Sequence, residues 1–190
     1  MLVDLERKVV RLKVVYYGPA RSGKTTNLER IAQKEGLDLL EIDTDDDRTL
    51  VFDFATKKVN LGNMWVSLAL YTVPGQHIYK DIRLTVMRGV DGVIFVADSQ
   101  TERLKENIEF LRLLKEDLMK VGRDHQSLPL VLQYNKMDLP NALDYKDLEE
   151  QINAEGFPSV QASAIRNEGV FETLSILEGK MVSKIKRMVG

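Results

Sequence analysis

The sequence predicts an α/β fold: a six-stranded, mostly parallel sheet with about five helices distributed over both faces. Three observations carry this expectation. Strand-like and helix-like segments alternate through all 190 residues with no internal repeat, Ser/Pro-rich linker or shift in composition, so a single domain over 1–190 is expected. The run Gly92-Val93-Ile94-Phe95-Val96-Ala97-Asp98 is apolar almost throughout, as a strand buried on both faces of a parallel sheet is. A glycine-containing segment follows the first strand and opens the first helix, which is the local order of a phosphate-binding loop.

The elements follow in chain order. Residues 9–17 are rich in β-branched and aromatic side chains and run into Gly18-Pro19, so they form the first strand. Residues 25–34 read as a helix. Residues 51–54 and 65–73 read as an antiparallel pair joined by the polar turn 57–63. After the apolar strand 92–98, Leu104, Ile108, Leu111, Leu114 and Leu118 recur at three- and four-residue steps and define one helix face within 103–121. Residues 128–135 form the next strand, Asp144 is an N-cap for a helix over 144–154, and 160–163 form a short strand. The last helix carries Val170, Leu174, Leu177, Met181, Ile185 and Met188 along one face, read as core. Right-handed crossovers in such an order place a ligand crevice at the carboxyl ends of the strands.

Composition excludes several functions. There is no cysteine, so disulfides, thiolate metal sites and thiol nucleophiles are absent. Lys+Arg number 27 against 29 Asp+Glu, a net charge of −2 that argues against broad nucleic-acid binding. Lys180, Lys184, Lys186 and Arg187 form a local basic run, read as a solvated helix end whose cations complement the helix dipole. Residues 1–8 mix charges early and contain no signal-peptide-length apolar run, and 64–73 is too short to span a bilayer. The expectation is a cytoplasmic protein with no integral membrane segment.

Gly18-Pro19-Ala20-Arg21-Ser22-Gly23-Lys24-Thr25 matches G-x-x-x-x-G-K-[ST] between a strand and a helix. Gly18 and Gly23 permit the tight backbone whose N–H groups face phosphate oxygens, and the helix start adds its positive dipole end near Thr25 and Thr26. Lys24 is expected to bridge the terminal two phosphates and Thr25 to place a hydroxyl on Mg2+. Ala20 reads either as a tolerated methyl or as one that crowds the attacking water. Arg21 reads either as a solvent-exposed side chain or as a cation toward the phosphates.

Asn135-Lys136-Met137-Asp138 follows a strand and matches N-K-x-D. A carboxylate at Asp138 can accept two parallel bonds from the N1–H and N2 amino group of guanine, a donor pair adenine lacks, and so selects GTP over ATP. Asn135 is expected to tie this loop to the phosphate loop, and the stem of Lys136 to cover one face of the base. Ala162-Ser163-Ala164 ends the next strand, where the backbone N–H groups of Ser163 and Ala164 can reach the guanine carbonyl. Between these motifs lie two candidate sensors of the terminal phosphate, Asp45-Asp46-Asp47-Arg48-Thr49 and Thr72-Val73-Pro74-Gly75-Gln76.

With these segments, and with Gly23-Lys24-Thr25-Thr26-Asn27-Leu28, Leu70-Tyr71-Thr72-Val73-Pro74-Gly75-Gln76, Val96-Ala97-Asp98-Ser99 and Gln133-Tyr134-Asn135-Lys136, the chain resembles the Ras-like small GTPases. Within them it is similar to the bacterial MglA-like group, the gliding and polarity GTPases, over about residues 9–185. The resemblance implies a Ras-like P-loop NTPase fold and a switch that binds GTP with Mg2+ and hydrolyses it to GDP. It implies that Gln76 orients the attacking water and that Arg48 is an arginine finger supplied in cis. It implies that the Gly75 N–H reports the terminal phosphate. Thr49 is the expected second hydroxyl on magnesium, with Thr44 a rival because the loop length allows either. Thr72 stands where most Ras-like proteins have Asp, as it does in this group. A roadblock-fold, MglB-like activating protein is the implied partner. The chain departs from the group at Ala20, where glycine is typical, and is slightly short before Asp45. A GTP-dependent binding or scaffold module with negligible hydrolysis is the alternative reading.

Overall fold

Period-2 side-chain alternation along the first long strand sends its residues to opposite sides of the sheet, and this partition organises the molecule. In the computed structural model, which describes residues 2–4, 6, 8–42, 52–61 and 64–189, Val15 and Tyr17 enter one buried cluster. Val10, Leu12, Val14 and Tyr16 enter the other. The strands among the described residues are β1 (Leu2–Asp4), β2 (Val9–Tyr17), β3 (Leu40–Ile42), β4 (Phe52–Leu61), β5 (Met64–Thr72), β6 (Gly92–Asp98), β7 (Leu130–Asn135) and β8 (Ser159–Gln161). The helices are α1 (Lys24–Glu35), α2 (Lys80–Met87), α3 (Leu104–Lys120), α4 (Tyr145–Ile152) and α5 (Val170–Val189).

The strands join in the order β3-β4-β5-β2-β6-β7-β8, with β1 paired to β2. The run β5-β2-β6-β7-β8 is parallel, and the β3-β4 and β4-β5 pairs are antiparallel. Every residue of β6 and β7 is buried, as expected for strands covered on both faces. Helices α1 and α5 supply Leu28, Ile31, Leu174, Leu177 and Met181 to one face. Helices α2, α3 and α4 supply Met87, Phe110, Leu114, Leu148 and Ile152 to the other.

Several expectations shift. Among the described residues the sheet holds two short strands, β1 and β3, besides the expected six. β1 pairs antiparallel with residues 9–11 of β2, a stretch that lies before the Val14 to Tyr17 segment occupied by β6, and so covers an otherwise open ladder. The polar segment expected as a turn over 57–63 is mostly strand, because β4 continues to Leu61 and pairs Lys57 with Leu68 and Asn60 with Trp65. Polar side chains are compatible with a strand that has a solvated face. Periodicity does not mark helix α2, because its buried residues are Arg83, Val86 and Met87, so an arginine interrupts the apolar stripe.

The inward face of α3 keeps Leu104, Leu111, Leu114 and Leu118 of the leucine stripe but not Ile108. Ile108 is 44% exposed, while Asn107, Phe110 and Asp117 are buried. The polar pair faces inward because each has a partner there: Asn107 exchanges bonds with the backbone of Asp98, and Asp117 accepts from Tyr17 and Arg83. Asp144 occupies the N-cap of α4, where its carbonyl accepts the Leu148 N–H, but its side chain makes no capping bond.

Candidate functional site

Residues 18–25 connect β2 to α1 at the carboxyl end of the parallel strands. Gly18 and Gly23 have φ of 145° and 101°, and neither position has space for a side chain. A Cβ on Gly18 would lie 2.2 Å from the Val96 carbonyl oxygen, and one on Gly23 would lie 2.1 Å from Asn135 Nδ2. Arg21 also adopts a left-handed conformation, with φ of 62°, and is exposed, which matches its solvent-exposed reading. The ammonium of Lys24 is buried under the loop and donates to the Gly18 and Pro19 carbonyls at 3.0 and 2.6 Å. That places a cation against the loop backbone at the start of α1. Ser22 is buried, Thr26 is half-buried and Thr25 is exposed at the helix start.

The loop is braced from the second motif. Asn135, at the end of β7, donates from Nδ2 to the Ser22 carbonyl at 2.8 Å and accepts the Ala164 N–H on Oδ1 at 2.8 Å. One side chain thus joins three segments distant in sequence. Deeper in, Asn27 and Gln133 exchange reciprocal amide bonds of 2.9 Å, and Gln133 also donates to Thr173 of α5. The Ala164 N–H, an expected donor to a base, is therefore engaged by Asn135 in this structure.

A cavity of about 340 Å³ opens between these loops, lined by Arg21, Gly23, Thr26, Lys136, Asp138 and Ile165 among others. Asp138 Oδ1 is sequestered from solvent and has no hydrogen-bond partner among the described residues. A buried acceptor left without a donor is costly, so its placement at a cavity marks a place for an external N–H. Lys136 and the 68%-exposed Ile165 both line this cavity, in positions to offer aliphatic surface to a planar ring.

Two residues unassigned in the sequence complete the arrangement. Asp98, the last residue of β6, is 1% exposed, and its Oδ2 lies 2.6 Å from Lys136 Nζ and 3.7 Å from Arg103 Nε. Arg103 in turn donates from Nη2 to the Ala20 carbonyl at 2.7 Å and pairs with Glu106. A carboxylate closing an otherwise apolar strand was a readable sign for Asp98. Nothing marked Arg103, whose role depends on α3 beginning beside residues 18–25.

The sensor segment lies on the opposite side of that loop. Thr72 ends β5 and is buried, and Gln76 is exposed ahead of a short 3-10 turn at His77–Tyr79. Gly75 is pressed against the phosphate-loop backbone: a Cβ there would lie 2.3 Å from Ala20 N and 2.4 Å from Pro19 C. The structure therefore brings Gly75 to the loop, with Gln76 next to it. Arg48, Thr49 and Thr44 lie outside the described residues, so the second half of the expected catalytic and metal set has no geometry. Among the described residues no cluster of three His, Cys, Asp or Glu could hold a metal, and of the two expected hydroxyl ligands only Thr25 is described.

A model of the ADP-ribosylation factor family matches residues 1–182. The chain is 39% identical over 190 residues to the mutual gliding-motility protein MglA of Myxococcus xanthus, covering 97% of each chain. It is 29% identical over 189 residues to human ADP-ribosylation factor-like protein 4C, with 93% and 90% covered. It is 26% identical over 176 residues to the Ras-related protein Rab-7a of Dictyostelium discoideum, with 89% and 83% covered.

Proposed function

The chain belongs to the ADP-ribosylation factor family of small GTPases, and from that membership and the site geometry we propose a residue-level account of how it binds and turns over GTP. The observation that carries the proposal is the buried Oδ1 of Asp138, without a hydrogen-bond partner among the described residues, in the lining of a cavity that Arg21 and Gly23 of the phosphate loop also line. Guanine supplies the N1–H and N2 donors this carboxylate lacks, with Lys136 and Ile165 covering its two faces. Ser163 and Ala164 border the base, and release of the Ala164 N–H from Asn135 would provide a donor for the guanine carbonyl. The phosphates enter the loop of Gly18, Pro19, Ala20, Arg21, Ser22 and Gly23, whose backbone N–H groups, Pro19 excepted, would face them, over the Lys24 ammonium, with Thr26 at the helix start.

The donor set suits Mg2+, which favours hard oxygen ligands: Thr25 would hold it, together with Thr49, and when bound it would neutralise charge on the phosphate oxygens. Gln76 aligns the attacking water. Gly75 places its N–H toward the terminal phosphate, and Arg48 offers a cation to the charge that develops there. Loss of the terminal phosphate releases Gly75 and alters the surface around the 71%-exposed Ile78, which is the switch read by partners.

MglA is named for gliding motility, and with 39% identity along nearly the whole chain we extend to this protein a role in bacterial motility or polarity control. The proposal includes a single domain, a cytoplasmic location and activation by a roadblock-fold, MglB-like protein. Among the described residues no helix is long and apolar enough to cross a membrane.

The test is incubation of the purified protein with Mg2+ and equal GTP and ATP, followed by chromatography of the bound nucleotide over time. Retained GTP that slowly becomes GDP supports the proposal. Retained ATP overturns the base assignment, and GTP that stays intact for hours favours the binding-module alternative.

A further inference from the structure

Arg83 is among the largest fully buried side chains of the protein, at 2% exposure, yet it carries a permanent charge. Its guanidinium is used in two directions. Nε lies 3.2 Å from Asp117 Oδ2, and Nη1 donates to the Gln76 carbonyl at 2.9 Å. Asp117 is itself 1% exposed, accepts the Tyr17 hydroxyl at 2.8 Å, and has Lys120 Nζ 3.5 Å from its other oxygen. Tyr17 immediately precedes Gly18 of the phosphate loop. Burial and the neighbouring Asp117 carboxylate push the Tyr17 hydroxyl well above its ordinary pKa, so it remains a donor across the working range.

A buried ion pair is a poor source of stability, because desolvation of both charges offsets their attraction and an apolar pair of equal volume often does as well. What this pair supplies is direction. The planar fork of Arg83 has one arm on α3 and the other on the loop ahead of α2. The Gln76 carbonyl also accepts the Tyr79 N–H at 3.2 Å, but that bond is local and moves with its own turn. The Arg83 bond, through Asp117, refers the Gln76 peptide to the part of the fold that carries the phosphate loop.

We propose that Arg83 is a positioning residue for GTP hydrolysis: with Asp117 and Tyr17 as its anchor, it sets the peptide plane of Gln76 and thereby the direction of the side chain that aligns the attacking water. This rests on the assignment of Gln76 to the water. Arg83 touches no nucleotide atom, so its effect belongs on the chemical step and not on affinity.

The test compares single-turnover GTP hydrolysis and nucleotide affinity in the full chain loaded with Mg2+. Arg83→Lys keeps a cation opposite Asp117, but it lacks the planar fork that aims two fixed N–H groups at Asp117 and at the Gln76 carbonyl. Expected is hydrolysis slowed about tenfold, since small misplacements of an aligning group are costly, with GDP and GTP affinity within about threefold of the parent. Hydrolysis at the parental rate overturns the proposal. Should Arg83→Lys fail to give a cooperative melt, Tyr17→Phe removes only the hydroxyl from Asp117; about a threefold slowing at unchanged affinity is expected, and an unchanged rate overturns the proposal. Gln76→Ala separates the two layers. If it hydrolyses at the parental rate, the Gln76 assignment fails; if it is slow while Arg83→Lys is not, only the role of Arg83 fails. The double variant Arg83→Lys, Gln76→Ala should be no slower than Gln76→Ala alone, and additive slowing would show that Arg83 acts elsewhere.

Discussion

Arg103, at the start of α3, donates to the carbonyl oxygen of Ala20 across 2.7 Å, so the backbone of the phosphate loop is held by a cation 83 residues away in sequence. The same guanidinium lies 3.7 Å from Asp98, which in turn grips Lys136 at 2.6 Å. One buried carboxylate thus couples the loop that faces the phosphates to the loop that faces the base.

Removing that coupling loosens nucleotide retention more than it harms the fold, because Arg103 is partly exposed and Asp98 keeps Lys136 as a partner. Arg103→Ala is expected to speed GDP dissociation by about 5- to 20-fold, the range of one lost charge-assisted bond discounted for exposure. Release of a fluorescent GDP analogue measures it; an unchanged off-rate would place Arg103 outside the site's support.

The lone acceptor of Asp138 makes a sharper statement about base choice. Asp138→Asn replaces one acceptor by a donor, so guanine loses complementarity while xanthine, with a carbonyl in place of the amino group, gains it. GTP affinity should fall by a factor on the order of 10³ and xanthosine triphosphate should compete. A titration in which the variant still prefers GTP by the parental margin would refute the base assignment.

Gly75 leaves no room for a methyl group, since an added Cβ would fall 2.6 Å or closer to three backbone atoms of Pro19 and Ala20. Gly75→Ala should hold the sensor segment off the phosphate loop, with GDP affinity near the parent and hydrolysis reduced about 10²-fold. Rapid-quench measurement of the variant decides this, and hydrolysis at the parental rate would mean the close approach is incidental to turnover.

Far from the site, a hydrogen bond from Lys115, opposed in part by desolvation, lowers the pKa of Glu155, and His125 Nε2 lies 3.1 Å from its other oxygen. A carboxylate with a depressed folded-state pKa contributes stability above its ordinary value and loses it as pH falls through the depressed one. Glu155→Gln should therefore lower the melting temperature by about 1–2 °C at neutral pH, a small effect for a partly exposed pair. The gap should narrow below pH 4.5, the group's ordinary value, and a gap that widened on acidification would contradict the assignment.

The sequence by itself determined the parts of this protein whose signal is local. G-x-x-x-x-G-K-T, N-K-x-D and the Pro74-Gly75-Gln76 segment are short, and each depends on a backbone geometry that only particular residues in a row can adopt. The all-buried strand β6 was legible for the same reason, since six apolar positions in a row from Gly92 to Ala97 leave no solvated face. The tertiary structure decided what depends on contacts across the sheet. No apolar stripe marks α2, because Arg83 sits where an apolar residue would show its face, and the leucine stripe of α3 gives no sign of Asn107 and Asp117, which are buried by partners 9 to 100 residues distant. Arg103 and Asp98 acquire their roles only when α3, β6 and β7 converge at one end of the sheet. A charged residue reads as solvated in sequence because burying it alone is prohibitive, and only the folded chain reveals the donor or acceptor that makes its burial possible.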